Sequence, residues 1–505
     1  MVHAKAEKPQ QRRLIAPCAR DCPAGIDVPR YIGYVAQGKF AEAEAVVRER
    51  IPFPAVCGHV CYHPCEPGCR RSQMDASVSI NALKRAAVDN GYNELWRQRW
   101  EETRAPDTGR RVAIVGSGPG GLTAAYYLGK RLGHNVTVFE ALPEPGGQLR
   151  VGVPHFRLPR KHLDAEISVI AETRVQIRTE SRIEDLDKLL NQGYDAVLLA
   201  VGAMKPRKLG APGEELPRVM DCASFLQAVN LGQKVNIGQR VAVVGGGNVA
   251  MDGARTARRL GASEVRVLYR RTRQEMPAYA FEVKSAEEEG VIFDFLVAPR
   301  AVASQGNGLQ AQLYRMELGQ PDESGRRRPV PVPNSDFNIN VDTLLVAIGL
   351  EASVPSQWDV ALKPDGTIKA DPKTQETSRP GIFACGDAAT GPVNVIEAIA
   401  GGRRAAQAID RYLGGDGDIS ETLAPEPGDE MAYPPYLLNA GTWPPHQHEI
   451  PRDRRVTTFD EVEQGLTKED AGHEALRCIR CDLWRIQGIP SVWPRKHAGD
   501  SAASE

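Results

Sequence analysis

The sequence predicts an α/β fold with two nested Rossmann-like domains, preceded by an α-helical domain. The first observation is an internal repeat: 111–140 (RVAIVGSGPGGLTAAYYLGKRLGHNVTVFE) and 240–270 (RVAVVGGGNVAMDGARTARRLGASEVRVLYR) each place a strand, a glycine turn, a helix and a second strand in one order. The second is the alternation of short β-branched runs with helical patterns after residue 110, which is typical of a parallel sheet with crossover helices. The third is a group of six cysteines within 18–69, ahead of both repeats.

The composition argues against several classes of protein. Lysine plus arginine (63) almost cancels aspartate plus glutamate (64), whereas a nucleic-acid-binding protein needs a basic excess. The longest apolar run, around 196–201, is far shorter than the roughly 20 residues of a membrane span. Residues 1–18 lack the apolar core of a secretory signal, so a cytoplasmic location is expected.

Regular spacing predicts the elements outside the repeats. Apolar residues recur at three- and four-residue spacing over 28–50 and 78–90, which predicts a helix in each. The polar, charged stretch 97–110 is expected to be a linker. From about Gly415 the chain becomes rich in proline, glycine and acidic residues, which predicts an extended arm that ends in a helix at 468–477.

The first glycine turn has the pattern of a dinucleotide-binding site. Gly116 allows the tight turn, Gly118 lets a pyrophosphate approach the backbone, and Gly121 lets the helix pack on the strand. Glu140 ends the next strand, where its carboxylate can accept hydrogen bonds from the ribose hydroxyls of an adenosine. Because this acid would repel a 2′-phosphate, the first site is expected to hold FAD or NAD.

The second glycine turn differs at one position. Its candidate cofactor-binding residues are Gly245, Gly247, Asn248 and Ala250. Tyr269 takes the place of Glu140, and Arg270 and Arg271 follow. Two guanidinium groups without an acid suit a 2′-phosphate, so NADPH is favoured over NADH; the alternative is that these arginines are a solvated face without selectivity.

A third candidate element is the segment 381–387 (GIFACGD), predicted to be a buried strand that ends in Gly386 and Asp387. Asp387 can place its carboxylate on the ribityl chain of a flavin. The next helix is predicted to begin at Asn394 and to point its N-terminus at the flavin ring, where a positive dipole end stabilises charge on the reduced flavin. Alone, a Gly–Asp pair indicates only a turn; after two nucleotide-binding units it supports a flavin site.

Eight cysteines form two groups of four, the ligand count of two [4Fe–4S] clusters. They are Cys18, Cys22, Cys57, Cys61, Cys65, Cys69, Cys478 and Cys481. Zinc is the alternative, although only the last two show the Cys-x2-Cys form common in zinc sites. The nearby His59, His63 and His473 are expected not to be ligands, and Cys222 and Cys385 are expected to be buried thiols.

Four segments together resemble a known family: 57–69 (CGHVCYHPCEPGC), 146–159 (GGQLRVGVPHFRLP), 269–277 (YRRTRQEMP) and 385–388 (CGDA). They are similar to the small (β) subunit of NADPH-dependent glutamate synthase. They also resemble the N-terminal half of dihydropyrimidine dehydrogenase and the NADPH-binding subunit of electron-bifurcating transhydrogenases. The resemblance implies FAD, NAD(P)H, two [4Fe–4S] clusters and the role of electron-entry subunit in a hetero-oligomeric complex.

The chain departs from this family at its N-terminus. The relatives begin with Cys-x2-Cys-x4-Cys-x3-Cys-Pro, whereas here only Cys18-x3-Cys22-Pro is present and a Cys-x2-Cys occurs at the C-terminus within 477–481 (RCIRC). We expect the C-terminal arm to return and complete a cluster. The family's crossed ligation then implies one cluster on Cys18, Cys69, Cys478 and Cys481. It implies the other on Cys22, Cys57, Cys61 and Cys65.

The resemblance also implies where the cofactors lie. The flavin ring is expected between 394–396 and 146–154, with Gly147, Gln148 and Gly152 as candidate contacts. The expected segments are a helical iron–sulfur domain (1–105), the first part of an FAD domain (106–202), an NAD(P)H domain (203–345), the second part of the FAD domain (346–415) and the C-terminal arm (416–505).

The implied mechanism passes a hydride from the nicotinamide to the flavin and then single electrons through the clusters to a partner protein. That partner is a glutamate synthase large subunit, ferredoxin or another reductase. One alternative is a thioredoxin-reductase-like disulfide reductase, which needs a Cys-x2-Cys beside the flavin, whereas 203–345 contains only Cys222. Another is an electron-conducting scaffold whose flavin is reduced by a different chain; the intact second glycine turn argues against it.

Overall fold

A computed structural model describes residues 15–91, 95–322, 325–425 and 443–483. The chain divides into two compact units. The helical unit comprises Met1–Thr103, Ser420–His448 and Gly465–Glu505, and the α/β unit comprises Arg104–Ile419 and Glu449–Gln464. Within the described ranges, no helix is both long and apolar enough to cross a membrane.

The helical unit starts with short helices. They are α1 (Pro17–Arg20), α2 (Val28–Ala36), α3 (Phe40–Arg48), α4 (Pro54–Val60), α5 (Ile80–Asn90) and α6 (Leu95–Glu102), with a 3-10 turn at Arg70–Gln73. Asp27 caps α2 by accepting a hydrogen bond from the backbone N–H of Arg30. After α2, Gly38 has a φ of +71°, a left-handed conformation that ends a helix and favours glycine. The single helix predicted over 28–50 is therefore wrong.

Helix α6 lies where a linker was predicted over 97–110. Trp96 and Trp100 are four residues apart, so they share one face of the helix, and both are buried. Their rings meet edge to face, with centroids 6.3 Å apart. The segment was predicted to be a linker because charged residues surround the two tryptophans. The linker prediction over 97–110 is wrong up to Glu102, where the helix ends.

The α/β unit opens with the first repeat. Its elements are β1 (Arg111–Val115), α7 (Pro119–Tyr126), β2 (Asn135–Phe139), α8 (Gln148–Val151), α9 (Arg160–Ala171), β3 (Val175–Arg178), α10 (Leu186–Asn191), β4 (Ala196–Leu199) and β5 (Lys205–Pro206), with a π turn at Tyr127–Arg131. The four β-branched or aliphatic residues that end β1 are buried, as a parallel strand covered on both faces requires.

The second repeat follows as an insertion. Its elements are β6 (Val219–Asp221), α11 (Cys222–Asn230), β7 (Arg240–Val244), α12 (Asn248–Arg259), β8 (Glu264–Tyr269), α13 (Ala280–Glu288), β9 (Ile292–Phe295), β10 (Val297–Gln305), β11 (Gly308–Pro321), β12 (Arg327–Pro331), β13 (Phe337–Val341) and β14 (Thr343–Val346). A parallel sheet has the order β6-β14-β7-β8-β9, and β10 to β13 form a separate antiparallel sheet.

The chain then returns to the first sheet. The remaining elements are β15 (Leu350–Glu351), β16 (Ile382–Ala384), α14 (Asp387–Thr390), α15 (Val395–Tyr412), β17 (His448–Glu449), α16 (Arg452–Arg455), β18 (Glu463–Gly465) and α17 (Lys468–Ala475). Strand β16 completes a parallel sheet of order β16-β4-β1-β2-β3. Because the second repeat lies between β4 and β16 in the chain, the two Rossmann-like sheets are nested, as the sequence predicts.

Candidate nucleotide and cluster sites

The first glycine turn joins β1 to α7. Gly116 has a φ of +106°, and a Cβ there would lie 2.4 Å from the carbonyl oxygen of Ala200. A Cβ at Gly121 would lie 2.2 Å from the carbonyl oxygen of Gly116, which explains glycine where the helix meets the strand. A Cβ at Gly118 would meet no atom within 4 Å. Space therefore exists beside this backbone for a pyrophosphate at the N-terminus of α7.

Glu140 follows β2, and its carboxylate is buried beside this turn. One oxygen accepts hydrogen bonds from the backbone N–H (3.0 Å) and the hydroxyl (2.5 Å) of Ser117, and the other from the N–H of Leu142 (2.8 Å). The hydroxyl of Ser117 also accepts a hydrogen bond from the N–H of Gly146 (3.0 Å). A carboxylate has about four acceptor sites, so these three donors fix its position and leave capacity for a ribose hydroxyl.

The segment expected to surround the flavin ring packs against the same turn. Gly147 has a φ of +54°, and a Cβ there would lie 2.8 Å from the Cα of Gly118. Gln148 begins α8 and donates a hydrogen bond to the sulfur of Met204 (2.9 Å). A Cβ at Gly152 would lie 2.1 Å from the side-chain oxygen of Gln148. The structure therefore places Gly147 against the first turn, and Gln148 and Gly152 lie at the two ends of the helix that follows it.

Asp387 and Asn394 lie at the starts of two helices. Gly386 has a φ of +63°, and Asp387 begins α14 directly after it. Burial raises the pKa of Asp387 to about 6, against a backbone N–H from Val393 that lowers it. Asn394 caps α15 by accepting a hydrogen bond from the N–H of Glu397 (3.1 Å). The helix begins at Val395, one residue after the predicted start.

Helices α7 and α15 approach each other through glycine. A Cβ at Gly120 would lie 3.2 Å from the carbonyl oxygen of Ala398 and 3.8 Å from the Cα of Gly386. A Cβ at Gly402 would lie 2.2 Å from the carbonyl oxygen of Gly120. This contact places the start of α14 next to the first turn of α7, so the predicted flavin residues from three parts of the chain converge.

The second glycine turn repeats the geometry of the first. Gly245 has a φ of +142°, and a Cβ there would lie 2.2 Å from the carbonyl oxygen of Ala347. A Cβ at Gly247 would contact only Pro277, at 4.0 Å, which leaves room for a pyrophosphate. Asn248 begins α12 and accepts a hydrogen bond from the N–H of Tyr279 (3.0 Å). Ala250 is buried in the core beneath α12.

The two arginines predicted to hold a 2′-phosphate occupy different environments. Arg270 is exposed. Arg271 is buried, forms an ion pair with Asp322 (2.5 Å) and donates a hydrogen bond to the carbonyl oxygen of Arg327 (2.8 Å). Burial raises the pKa of Tyr269, and the nearby Arg271, Arg326 and Arg270 oppose this effect. Arg326 was not identified from the sequence; the run of three arginines at 326–328 is the signal that could have found it.

Four thiols from distant parts of the chain lie together in the helical unit. This C-terminal set consists of Cys18, Cys69, Cys478 and Cys481. Burial raises the pKa of Cys18 well above its usual range, and repulsion from Cys478 and Cys481 adds to the effect. Burial likewise raises the pKa of Cys478 to about 12 and that of Cys481 to about 11. The structure thus brings both C-terminal cysteines next to Cys18.

A buried ion network holds this C-terminal segment in place. Arg477 follows α17 and pairs with Asp75 (3.0 Å) and Glu474 (2.8 Å). Asp75 also pairs with Arg71 (2.5 Å), whose guanidinium holds the pKa of Asp75 well below its usual range. Glu474 accepts a hydrogen bond from the N–H of Ser79 (2.6 Å), just before α5. These contacts fix the helix that delivers the two thiols.

The other four thiols lie around α4 and the loop after it. This N-terminal set consists of Cys22, Cys57, Cys61 and Cys65, all of them buried. Burial raises the pKa of Cys65 well above its usual range; Lys84 opposes the shift, and Cys61 adds to it. Cys65 also raises the pKa of Cys18, so the two sets are neighbours. The division into these two sets is the one that the family resemblance implies, and it stays a prediction.

The donor sets fit four-iron clusters better than zinc. In a tetrahedral zinc site with Zn–S bonds of about 2.3 Å, the sulfur atoms lie roughly 3.8 Å apart. In the described part of the chain, three potential metal-ligand atoms come within 4.8 Å of one another at one place only, and no cysteine belongs to it. The thiols are therefore spaced more widely than zinc requires, as expected when each binds a different iron of a cluster.

The remaining predicted residues have structural contacts. A ring nitrogen of His59 lies 2.7 Å from the carbonyl oxygen of Ala55, and a ring nitrogen of His63 lies 3.0 Å from a carboxylate oxygen of Glu66. Cys222 and Cys385 are both almost fully buried, as predicted.

Lys84, on α5, is a functional candidate that sequence reasoning missed. Its signal was a lysine four residues after Ile80, on the apolar face of the predicted helix.

Two family models match the chain. Residues 110–402 match "Pyridine nucleotide-disulphide oxidoreductase", and residues 6–96 match "Dihydropyrimidine dehydrogenase domain II, 4Fe-4S cluster". The first match spans both nucleotide-binding sheets and the second spans six of the eight clustered cysteines. Together they show FAD, NAD(P)H and [4Fe–4S] clusters as the cofactors of this fold.

Named relatives agree with both matches. The chain is 42% identical to the NADP(+)-dependent formate dehydrogenase subunit beta of Moorella thermoacetica, over 93% of this chain and 71% of the relative. It is 35% identical to the glutamate synthase [NADPH] small chain of Halomonas elongata, over 78% of this chain and 88% of the relative. Mycobacterium tuberculosis FprA in complex with NADPH shares the fold, with a TM-score of 0.53 and 22% identity over 61% of this chain and 85% of that chain.

The resemblance inferred from four short segments is thus confirmed over most of the chain. The chain belongs to the pyridine nucleotide-disulphide oxidoreductases, in the glutamate synthase small-subunit-like family that joins an FAD and NAD(P)H module to a [4Fe–4S] domain.

Proposed function

We propose that this chain is the electron-input subunit of a larger oxidoreductase. In this role the chain oxidises NADPH and passes single electrons through two [4Fe–4S] clusters to a partner protein. The observation that carries the proposal is the presence of two four-thiol sets in the same chain as two dinucleotide-binding turns. An enzyme that reduced its final substrate directly at a flavin would have no use for eight clustered thiols.

In the α/β unit, different residues bind the two nucleotides. The open backbone at Gly118 receives the pyrophosphate of FAD, and Glu140 accepts from its ribose. The open backbone at Gly247 receives the pyrophosphate of the coenzyme. Because Arg271 is already paired with Asp322, Arg270 carries the preference for a 2′-phosphate.

The thiols of the helical unit bind the clusters in the two sets described above. When bound, FAD supplies a two-electron acceptor for hydride, and the clusters supply one-electron carriers. The protein's part is to bury the thiols, to hold α17 against α5 through Glu474, and to keep water away from the N-terminal set. In this assignment the helical iron–sulfur domain is 1–105, completed by the two parts of the arm 416–505 that belong to the helical unit, Ser420–His448 and Gly465–Glu505.

For the nucleotide-binding part, the proposal keeps the division predicted from the sequence. FAD occupies 106–202 and 346–415, and the coenzyme occupies 203–345. Strand β16 supports this division because it joins the first sheet after the inserted second sheet.

The electron acceptor is proposed to be the catalytic subunit of a complex. The relative from Moorella thermoacetica is named as a formate dehydrogenase subunit, and the one from Halomonas elongata as the small chain of glutamate synthase. Both names describe one chain of an assembly. These names favour a glutamate synthase large subunit or the catalytic subunit of another reductase as the acceptor, and ferredoxin is the alternative.

Reduction of the flavin by coenzyme alone tests this function. The full chain is purified anaerobically with its cofactors, and one equivalent of NADPH or NADH is added. We expect NADPH to bleach the visible absorbance of the oxidised flavin without any second protein, and NADH to do so more slowly. Bleaching that requires another protein of the host would make the chain an electron-conducting scaffold and would contradict the proposal.

A further inference from the structure

Lys84 is a buried cation that neither nucleotide site uses. It lies on α5, and only 5% of its surface is exposed. Its titratable neighbours include all four thiols of the N-terminal set. The lysine and the four thiols therefore share one electrostatic environment.

The packing of α5 on α4 fixes this position. A Cβ at Gly58 would lie 3.1 Å from the Cα of Arg85, so the two helices touch one residue away from Lys84. The side chain of Asn81 donates a hydrogen bond to the carbonyl oxygen of Gly58 (2.8 Å). Helix α4 carries Cys57, and Cys61 follows it directly. The distance between Lys84 and these thiols is thus set by rigid elements.

No carboxylate of a described residue forms a salt bridge with Lys84. Burying an ammonium group without an opposite charge is costly. The buried arginines of the helical unit illustrate the usual solution, since Arg30 pairs with Glu49 (2.8 Å) and Arg480 with Asp482 (2.9 Å). Lys84 faces four thiols in place of a carboxylate, which fits a site whose occupant is an anion.

The C-terminal set has a different balance of charge. Arg480 lies beside Cys478, but Asp482 neutralises it. Arg70 lies near Cys481 and is only half-buried, so water screens its charge. Cys69, Cys478 and Cys481 are also more exposed than the thiols of the N-terminal set. Among the described residues, Lys84 is therefore a buried cation without a carboxylate partner, and it lies beside the N-terminal set and not beside the C-terminal set.

We propose that Lys84 raises the reduction potential of the cluster bound by the N-terminal set and thereby makes it the preferred electron acceptor of the two. The inference rests on the proposed function. Reduction adds one electron and one negative charge to a cluster and neither forms nor breaks a bond. A fixed ammonium in a medium of low dielectric constant stabilises this extra charge, so Lys84 is a positioning residue that acts through electrostatics.

The test is a redox titration of the anaerobic full chain, followed by electron paramagnetic resonance. Lys84→Met removes the charge but keeps the length of the side chain, whereas Lys84→Arg keeps the charge. Lys39→Met removes an exposed lysine of the same unit and serves as the control. We expect K84M to lower one of two midpoint potentials by an amount equivalent to at least a tenfold change in the equilibrium constant, about 59 mV for one electron. K84R and K39M are expected to keep both potentials near those of the wild type.

The outcomes separate this inference from the proposed function. If the wild type binds no clusters, the proposed function fails before Lys84 is tested. If both clusters are present and K84M leaves both potentials unchanged, the inference is wrong and the function stands. If K84M binds only one cluster, the redox titration of K84R decides. Two clusters in K84R with both potentials near those of the wild type support the inference, and a lowered potential or a lost cluster in K84R contradicts it.

Discussion

Glu140 and Tyr269 occupy the same position in the two nucleotide-binding units, each at or just after the end of the second strand of its repeat. Glu140 is buried and fixed by Ser117 and Leu142. Tyr269 covers its own turn, since a Cβ at Gly246 would lie 2.5 Å from its ring. We propose that the carboxylate accepts ribose hydroxyls in the first unit and that its absence in the second admits a phosphate. This one position then distinguishes the two ligands.

Arg270 and Arg271 are expected to respond differently to substitution. Arg270→Ala should raise the Michaelis constant for NADPH about tenfold or more, and that for NADH little, because one charge-assisted phosphate contact of about 1.5–3 kcal/mol is lost. Arg271→Ala should instead lower the free energy of unfolding by about 1–3 kcal/mol, because Asp322 loses its partner. Steady-state kinetics with both coenzymes and thermal unfolding measure these effects.

Arg273→Ala is the matched control, because Arg273 is exposed, follows closely in the chain and pairs with the half-buried Glu287. It should change neither quantity appreciably. An equal rise of both Michaelis constants in Arg270→Ala would show that Arg270 does not select the phosphate.

The raised pKa of Asp387 determines the sign of its effect on the pH dependence of the apo-protein's free energy of unfolding. Burial raises its pKa to about 6, so the folded state binds a proton more tightly than the unfolded state. The stability this provides is present at pH values below the unfolded pKa of about 3.9 and is lost as the pH rises through about 6. Wild-type apo-protein should therefore lose stability between about pH 4 and pH 7 relative to Asp387→Asn. Thermal unfolding of both apo-proteins across this range measures the difference, and parallel curves would contradict the assignment.

At the scale of elements, close helix packing positions the flavin site. Helices α7 and α15 meet where Gly402 lies against the carbonyl oxygen of Gly120. This contact sets the distance between the first glycine turn and the Gly–Asp segment that precedes α14. The sequence predicted both helices but not their contact, because the pairing depends on chain segments almost three hundred residues apart.

Gly402→Ala should weaken FAD binding. The new Cβ would lie 2.2 Å from a backbone oxygen, so α15 must move away from α7 and carry the start of α14 with it. Gly472→Ala is the control, because this glycine also lies within a helix, α17, and a Cβ there would meet no atom within 4 Å. We expect purified G402A to contain clearly less FAD per chain than the wild type, and G472A to contain as much. Full FAD occupancy in G402A would show that the contact does not position the site.

Local signals explain which elements the sequence predicted correctly. The two repeats carry a strand pattern, three small residues and a helix pattern at fixed spacing, and both formed as expected. Gly38 divides the helix predicted over 28–50 because periodicity alone does not show the conformation of one residue. The ion pair of Arg271 with Asp322 also escaped prediction, since its two residues are fifty-one positions apart.

At the scale of the whole molecule, segments that belong to one sheet or one unit are not consecutive in the sequence. The first parallel sheet is interrupted along the chain by the second, and the helical unit is completed by Ser420–His448 and Gly465–Glu505. Counting cysteines predicts eight ligands in two groups of four, and which four share a cluster is implied by the family resemblance and stays a prediction. The Arg477 network could not be foreseen, because it depends on which helices pack together. The place of Lys84 on an apolar helix face is visible in the sequence, but its position beside the thiols is not.

The central claim is that the C-terminal thiols complete one of two clusters. Its most direct test is the iron and acid-labile sulfide content of the full chain and of a chain that ends after Gly472, both purified anaerobically. The full chain should contain about eight irons and eight sulfides, and the shortened chain about four of each. Because neither glycine turn is changed, the shortened chain should keep FAD, and NADPH should still bleach it. A shortened chain that kept all its iron and sulfide, or a full chain with stoichiometric zinc and no labile sulfide, would contradict the account.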